Sequence, residues 1–175
     1  MEIAFYISSA VAVIATIMVI TNHNLIHALL YLVVSFLAVA VVFFLLGAPF
    51  VAALEVIVYA GAIVVLIIFV IMMLNLKEEA VAQEKKWVRS VSLAGPAVLC
   101  AILLGELIYI ISVGASETLS THVVDAKAVG LSLYGPYVIG VELSGILLMA
   151  GIVGAYHLGR QKKKIVHRFL ERIDE

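Results

Sequence analysis

Residues 51–75 read VAALEVIVYAGAIVVLIIFVIMMLN. This is a nearly unbroken apolar run with one carboxylate, Glu55, and one small-residue knot, Ala60-Gly61-Ala62. About 20 apolar residues in helical form span the hydrocarbon of a bilayer, so this run crosses it with some length to spare. An acidic group inside such a segment is costly and marks a candidate functional site. Tyr59 follows Glu55 at i, i+4 and shares its face in an α-helix. Gly61 lies just beyond, where low helix propensity makes the backbone easiest to deform.

Four further spans flank this one, at about 3–20, 25–46, 91–113 and 136–158, with the central run at 50–74. Strands this apolar would leave unpaired backbone groups in lipid, so each span is read as a helix. The chain has 175 residues, 65% of them hydrophobic, and a mean hydropathy of +1.20. A soluble domain is about half apolar. The expected fold is therefore an all-α integral membrane protein, one membrane domain over 1–175, with five transmembrane helices. An amphipathic tail at 160–175 places Ile165, Val166, Phe169, Leu170 and Ile173 at helical spacing, suited to a membrane surface or a partner.

The basic residues give the orientation. Lys77, Lys85, Lys86 and Arg89 lie between spans three and four, and Arg160, Lys162, Lys163, Lys164, Arg168 and Arg172 follow span five. Only Lys127 lies on the other side. The positive-inside rule then places the N-terminus outside and the C-terminus in the cytoplasm. It also puts the loop 114–135 outside and the turn Asn22–Asn24 inside. Trp87 reads as an interfacial belt residue.

Glu55, Glu106 and Glu142 fall one each on spans three, four and five. Each lies about 10 Å below the outer end of its span at 1.5 Å per residue. Glu55 and Glu142 weigh about evenly between proton-path and structural roles, whereas Glu106 reads mainly as structural. There is no intramembrane lysine to complete a self-contained pump. Span five carries Gly140/Ser144, Ala150/Gly154 and Gly151/Ala155, small-xxx-small pairs that let helix backbones approach closely. His23, His27 and His157 sit near helix ends and have no metal-ligand spacing. The one cysteine, Cys100, lies in an apolar run. No phosphate loop, CxxC pair or nucleophile with a positioned base is visible, and no nucleic-acid partner is expected.

The third span resembles the third helix of the subunit J family of NADH:quinone oxidoreductase, respiratory complex I. The matching residues are Glu55, Val58, Tyr59, Ala60, Gly61, Ala62, Ile63, Val65, Leu66, Phe69, Met72 or Met73, and Leu74. A second match at 128–156 includes Gly130, Leu133, Tyr134, Tyr137, Glu142, Gly145, Leu148, Ala150, Gly154 and Ala155, and departs at Val141, where the family often has phenylalanine. The resemblance implies a non-redox membrane-arm subunit of a proton-pumping NADH:quinone oxidoreductase, with no catalytic centre in this chain. FMN, iron–sulfur clusters and quinone then belong to other parts of the complex. It implies a cell inner (plasma) membrane location and, as neighbours, A-, H- and K-type subunits, an antiporter-like subunit and membrane lipid. It further implies a π-bulge near the Tyr-Ala-Gly motif, over Tyr59, Ala60, Gly61, Ala62, Ile63, Val64 and Val65, with Glu55, Tyr59, Gly61 and Glu142 as coupling or proton-path residues. The alternatives are a subunit of a related donor:quinone oxidoreductase or antiporter-type complex, or a small stand-alone transporter.

Overall fold

A computed structural model of the chain describes residues 1–73, 93–113 and 123–160. The basic loop between spans three and four, most of the loop that follows span four, and the tail beyond Arg160 lie outside the described residues. Among those described there is no strand. Five helices are long and apolar enough to cross a membrane. We label the helices α1 (Glu2–Thr21), α2 (Leu25–Leu45), α3 (Pro49–Met73), α4 (Ala94–Val113), α5 (Ala126–Leu133) and α6 (Val138–Gly159). The chain divides into two compact units, Met1–Ala126 and Lys127–Glu175.

The first unit is built on the α1–α2 hairpin. Its turn is set by two asparagines. The Asn24 side chain accepts hydrogen bonds from the N–H groups of Ile26 (2.9 Å) and His27 (3.4 Å), and Asn22 Oδ1 accepts from the Asn24 N–H (3.0 Å). Asn24 is thus the N-cap of α2, supplying partners that the first turn of a helix lacks. The helices meet along small residues. Ala4, Ser8, Val11 and Ala15 form the buried stripe of α1 at helical spacing. Ala15 and Ala38 are fully covered. Lipid tails are as apolar as leucine, so such contacts stabilise through close packing rather than water exclusion. A polar clasp adds to them: Thr16 and Ser35 share a hydrogen bond of 2.9 Å between α1 and α2.

At the other end of α2 the chain reverses through Gly47-Ala48-Pro49. Gly47 has φ 82°, the left-handed conformation that glycine adopts without penalty. The Gly47 N–H donates to Phe44 O and the Ala48 N–H to Phe43 O, the paired bonds of a Schellman motif. Pro49 then opens α3, where its missing N–H costs no helical bond. The Val124 N–H donates to Gly47 O at 2.9 Å, tying the far end of the following loop to this turn.

Helix α4 packs on α1 and α2. Leu103 joins Val11, Ala15, Val34 and Ala38 in one buried cluster, and Ile110 joins Ala4 and Leu45 in another. Helix α3 packs on α2 instead. Between α3 and α4 remains an apolar cavity of about 420 Å³, walled by Val56 of α3, Leu37 and Val41 of α2, and Cys100, Leu103 and Leu104 of α4.

Two details differ from the sequence expectation. Helix α4 starts at Ala94 rather than 91, and Pro96 stands in its first turn. That position suits it, because first-turn N–H groups have no intrahelical acceptor. The stretch 114–135, expected as loop throughout, contains α5. In the second unit, α5 connects to α6 through Tyr134–Tyr137. A Cβ at Gly135 would lie 2.7 Å from the Leu131 carbonyl oxygen, so only glycine fits that turn as built.

Candidate functional site

Helix α3 is not α-helical throughout. From Glu55 to Ile63 it is a nine-residue π-helix, bounded by α-helix over Pro49–Leu54 and Val64–Met73. The Val64 N–H is shared between Gly61 O, three residues back, and Tyr59 O, five residues back, where an α-helix would use the fourth. A π segment is rare and marks functional sites more often than chance. Its backbone torsions at both edges are ordinary helical values, φ −63° at Leu54 and at Val64. The α-helices on either side therefore enter and leave the segment in ordinary helical geometry.

The π segment begins at Glu55, four residues before the stretch Tyr59–Val65 suggested by the resemblance. It ends at Ile63, so Val64 and Val65 belong to the following α-helix. Glu55, Tyr59 and Gly61 all fall inside it. A Cβ built at Gly61 would lie 3.4 Å from the Val56 carbonyl oxygen, an ordinary contact. Tyr59 packs its ring edge-on against Phe36 of α2, with centroids 5.4 Å apart and planes at 60°. The outward side of the segment is open in the isolated chain: Ile57 is 66% exposed and Tyr59 45%.

Helix α3 therefore presents a carboxyl, a phenol and a glycine in a stretch whose hydrogen bonds can be drawn in two registers. Each residue of an α-helix turns it by about 100° and advances it 1.5 Å. Returning the π segment to α register would rotate Val64–Met73 against Pro49–Leu54 by about that angle. The chemistry open to such a device is gating: Glu55 and Tyr59 would turn towards or away from a neighbouring polar path.

Glu142 lies in the second turn of α6, in the second unit. On the same helix the Ser144 hydroxyl donates to Gly140 O at 2.8 Å. Within that unit nothing lies within 4 Å of a Cβ built at Gly140, Gly151 or Gly154. Among the described residues no three His, Cys, Asp or Glu side chains gather as metal ligands do, so these residues do not fit an iron–sulfur centre. One feature had no clear sequence signal. Glu106 of α4 is buried, 8% exposed, beside Ser8 of α1. Beyond each other, Ser8 Oγ and the Glu106 oxygens have no hydrogen-bond partner among the described residues.

Comparison with known proteins gives the family. The family described as NADH-ubiquinone/plastoquinone oxidoreductase chain 6 matches residues 15–158. NADH-quinone oxidoreductase subunit J of Pseudomonas aeruginosa is 56% identical over 94% of this chain and 99% of its own length. The chain belongs to the NADH-quinone oxidoreductase subunit J family. The subunit J of Escherichia coli K12 is 50% identical, over 93% of this chain and 89% of its own length. That of Buchnera aphidicola from Schizaphis graminum is 44% identical, over 93% of this chain and its whole length. For a subunit J protein, the π segment, the buried pair Ser8–Glu106 and the unpartnered Nδ1 of buried His27 are polar features among the described residues of the first unit that packing alone does not explain.

Proposed function

We propose that the π segment Glu55–Ile63 is a register switch that couples quinone reduction elsewhere in the complex to proton movement through the membrane arm. The setting follows from family membership: the chain is a membrane-arm subunit of NADH-quinone oxidoreductase, and other subunits of that complex are its partners. FMN, iron–sulfur clusters and quinone belong to the complex. In this reading they are held by other chains. The single observation that carries the switch is the nine-residue π register, which contains both Glu55 and Tyr59.

The mechanism needs two states of one helix. In the π state, Tyr59 rests on Phe36 and α3 stands apart from α4 across the apolar cavity. In the α state, the residues beyond Ile63 turn by about 100°, and the polar pair Glu55 and Tyr59 loses or gains a hydrated path. Such a change transmits only if both states are close in free energy. Gly61 serves that need, since glycine lowers helix propensity by about 1 kcal/mol relative to alanine. Glu142 is a further proton-path residue in this reading. The small residues Gly140, Ser144, Ala150, Gly151, Gly154 and Ala155 pack α6 against other subunits. The neighbours are A-, H- and K-type subunits and an antiporter-like subunit, in the inner membrane, with the N-terminus outside and the basic ends in the cytoplasm.

The test uses the intact complex in sealed vesicles. Gly61→Val should reduce quinone-linked proton pumping several-fold while NADH oxidation by an artificial acceptor stays near normal. Full pumping by Gly61→Val, together with a regular α-helix over 55–63 in every resolved state, would reject the switch.

A further inference from the structure

Glu106 and Ser8 sit apart from the π segment, on helices that the coupling scheme does not use. Both side chains are at least nine-tenths covered, at 8% and 0% exposure. Their three oxygen atoms have no accessible surface; the hydroxyl and the carboxyl lie beside each other, and among the described residues neither has any other hydrogen-bond partner. Buried polar groups are nearly always satisfied, and each exception needs a cause such as water or function. Glu106 also forms part of the wall of a cavity of about 400 Å³, with Met1, Ala4 and Ile7 on one side and Ile102 and Tyr109 of α4 on the other. One water fills about 30 Å³ of liquid, so this space admits several. An ionised carboxylate here would have no partner beyond Ser8 and no solvent, a costly arrangement for such a group. An uncharged acid carrying its proton can donate one hydrogen bond and accept others. Ser8, behind the cavity wall, can do the same, and a small opening of the α1–α4 seam would admit a water from the cavity to bridge the two and satisfy both.

We propose that Ser8 and Glu106 form a second polar site, in which the uncharged carboxyl of Glu106 binds water drawn from the α1–α4 cavity and holds an exchangeable proton. It lies at the end of the first unit that carries the Ala4–Leu45–Ile110 cluster and the Gly47 turn. The ligands are water and the proton. No covalent step is involved: the proton passes between the Glu106 oxygen and water, and Ser8 relays or anchors the hydrogen bond.

Two measurements on the whole complex decide it. Infrared spectra in H2O and D2O should contain a carboxylic C=O band that shifts on deuteration. The band should be lost in Glu106→Gln and displaced in Ser8→Ala. A map of the complex at water-resolving quality should show an ordered water bridging Ser8 Oγ and a Glu106 oxygen. The proposal is overturned if Glu106→Gln removes no such band. It is equally overturned if the map shows the carboxylate paired with a cation of a neighbouring subunit, or the cavity filled by a lipid tail. Neither readout depends on pumping, so the site stands or falls independently of the π switch.

Discussion

The ring of Tyr59 meets that of Phe36 edge-on at 5.4 Å, joining the π segment to the helix that anchors the first unit. Aromatic pairs of this geometry contribute about 0.5–1.5 kcal/mol beyond the area they cover. In the proposed switch the contact favours the π register, because a rotation at Tyr59 would break it. Phe36→Leu keeps most of the volume and removes the aromatic pair. The expected outcome is a shift of up to about tenfold between the two registers, since about 1.4 kcal/mol is a factor of ten. The ratio of π to α classes of α3 in imaged complexes measures it. An unchanged ratio in Phe36→Leu would disconnect the aromatic contact from the switch.

Substitutions at Gly61 separate space from propensity. A Cβ there makes only an ordinary contact with the Val56 carbonyl, so Gly61→Ala fits the π register. Alanine still favours a regular helix by about 1 kcal/mol over glycine. Its expected effect on pumping is therefore limited to about fivefold at most, the register shift that about 1 kcal/mol produces. Gly61→Val adds a second branch beside the Val56 carbonyl and stiffens χ1, and its effect should be several-fold. Glu55→Gln should fall between Gly61→Ala and Glu55→Leu, because the amide keeps size and hydrogen bonding while removing the titratable proton. The check is the ratio of protons pumped to NADH oxidised for each variant. Equal loss in Glu55→Gln and Glu55→Leu would assign the role to the proton; no loss in either would remove Glu55 from the path.

The five spans were legible because hydropathy runs such as 51–75 allow one structure in lipid. The Asn22–Asn24 and Gly47–Pro49 reversals were legible as turn chemistry. The π register was not readable from composition: residues 55–63 would look the same as α-helix, and only the family resemblance pointed there, with its start misplaced at Tyr59. Val64 and Val65 fell in the expected bulge but return to α register, because the i→i+5 bonds end once Val64 reaches Tyr59 O. Helix α5 was hidden by its brevity and by Gly130, although Ala126, Val129 and Leu133 share a helical face. The pairing of Ser8 with Glu106 joins residues 98 positions apart through packing. A lone serine in an apolar helix carries no signal of such a partner.

Asn24 supports the α1–α2 turn through two side-chain bonds, so its loss is a test of stability rather than coupling. Asn24→Ala removes the cap, at about 1 kcal/mol. Asn24→Asp keeps an acceptor oxygen and should recover most of it. Thermal denaturation of the purified complex, followed by release of this subunit, provides the measurement. Identical melting of Asn24→Ala and the parent would show that partner subunits, and not the cap, fix this turn.

The small face of α6 predicts an assembly defect. Gly154→Leu places a branched side chain where the glycine leaves open space within its unit. Complex yield should fall more than turnover per assembled complex. Quantifying subunit content by mass spectrometry, alongside activity normalised to FMN, separates the two. Normal yield in Gly154→Leu would count against this face as a packing surface.

Orientation is open to direct labelling. The exposed positions His23 and Asp125 flank the first unit at opposite ends: His23 lies in the α1–α2 turn, and Asp125 follows the Val124–Gly47 bond at the α2–α3 turn. If the five spans alternate in direction, ten of the chain's eleven lysines and arginines fall on the His23 side, which the positive-inside rule assigns to the cytoplasm. With Cys100 replaced by serine, Asp125→Cys in intact cells should react with an impermeant thiol reagent, and His23→Cys should react only after the membrane is opened. The subunit is then recovered and its label read by mass. Labelling of His23→Cys in intact cells, with protection of Asp125→Cys, would reverse the orientation. The Ser8–Glu106 site and its cavity would then open towards the cytoplasm instead of the outside.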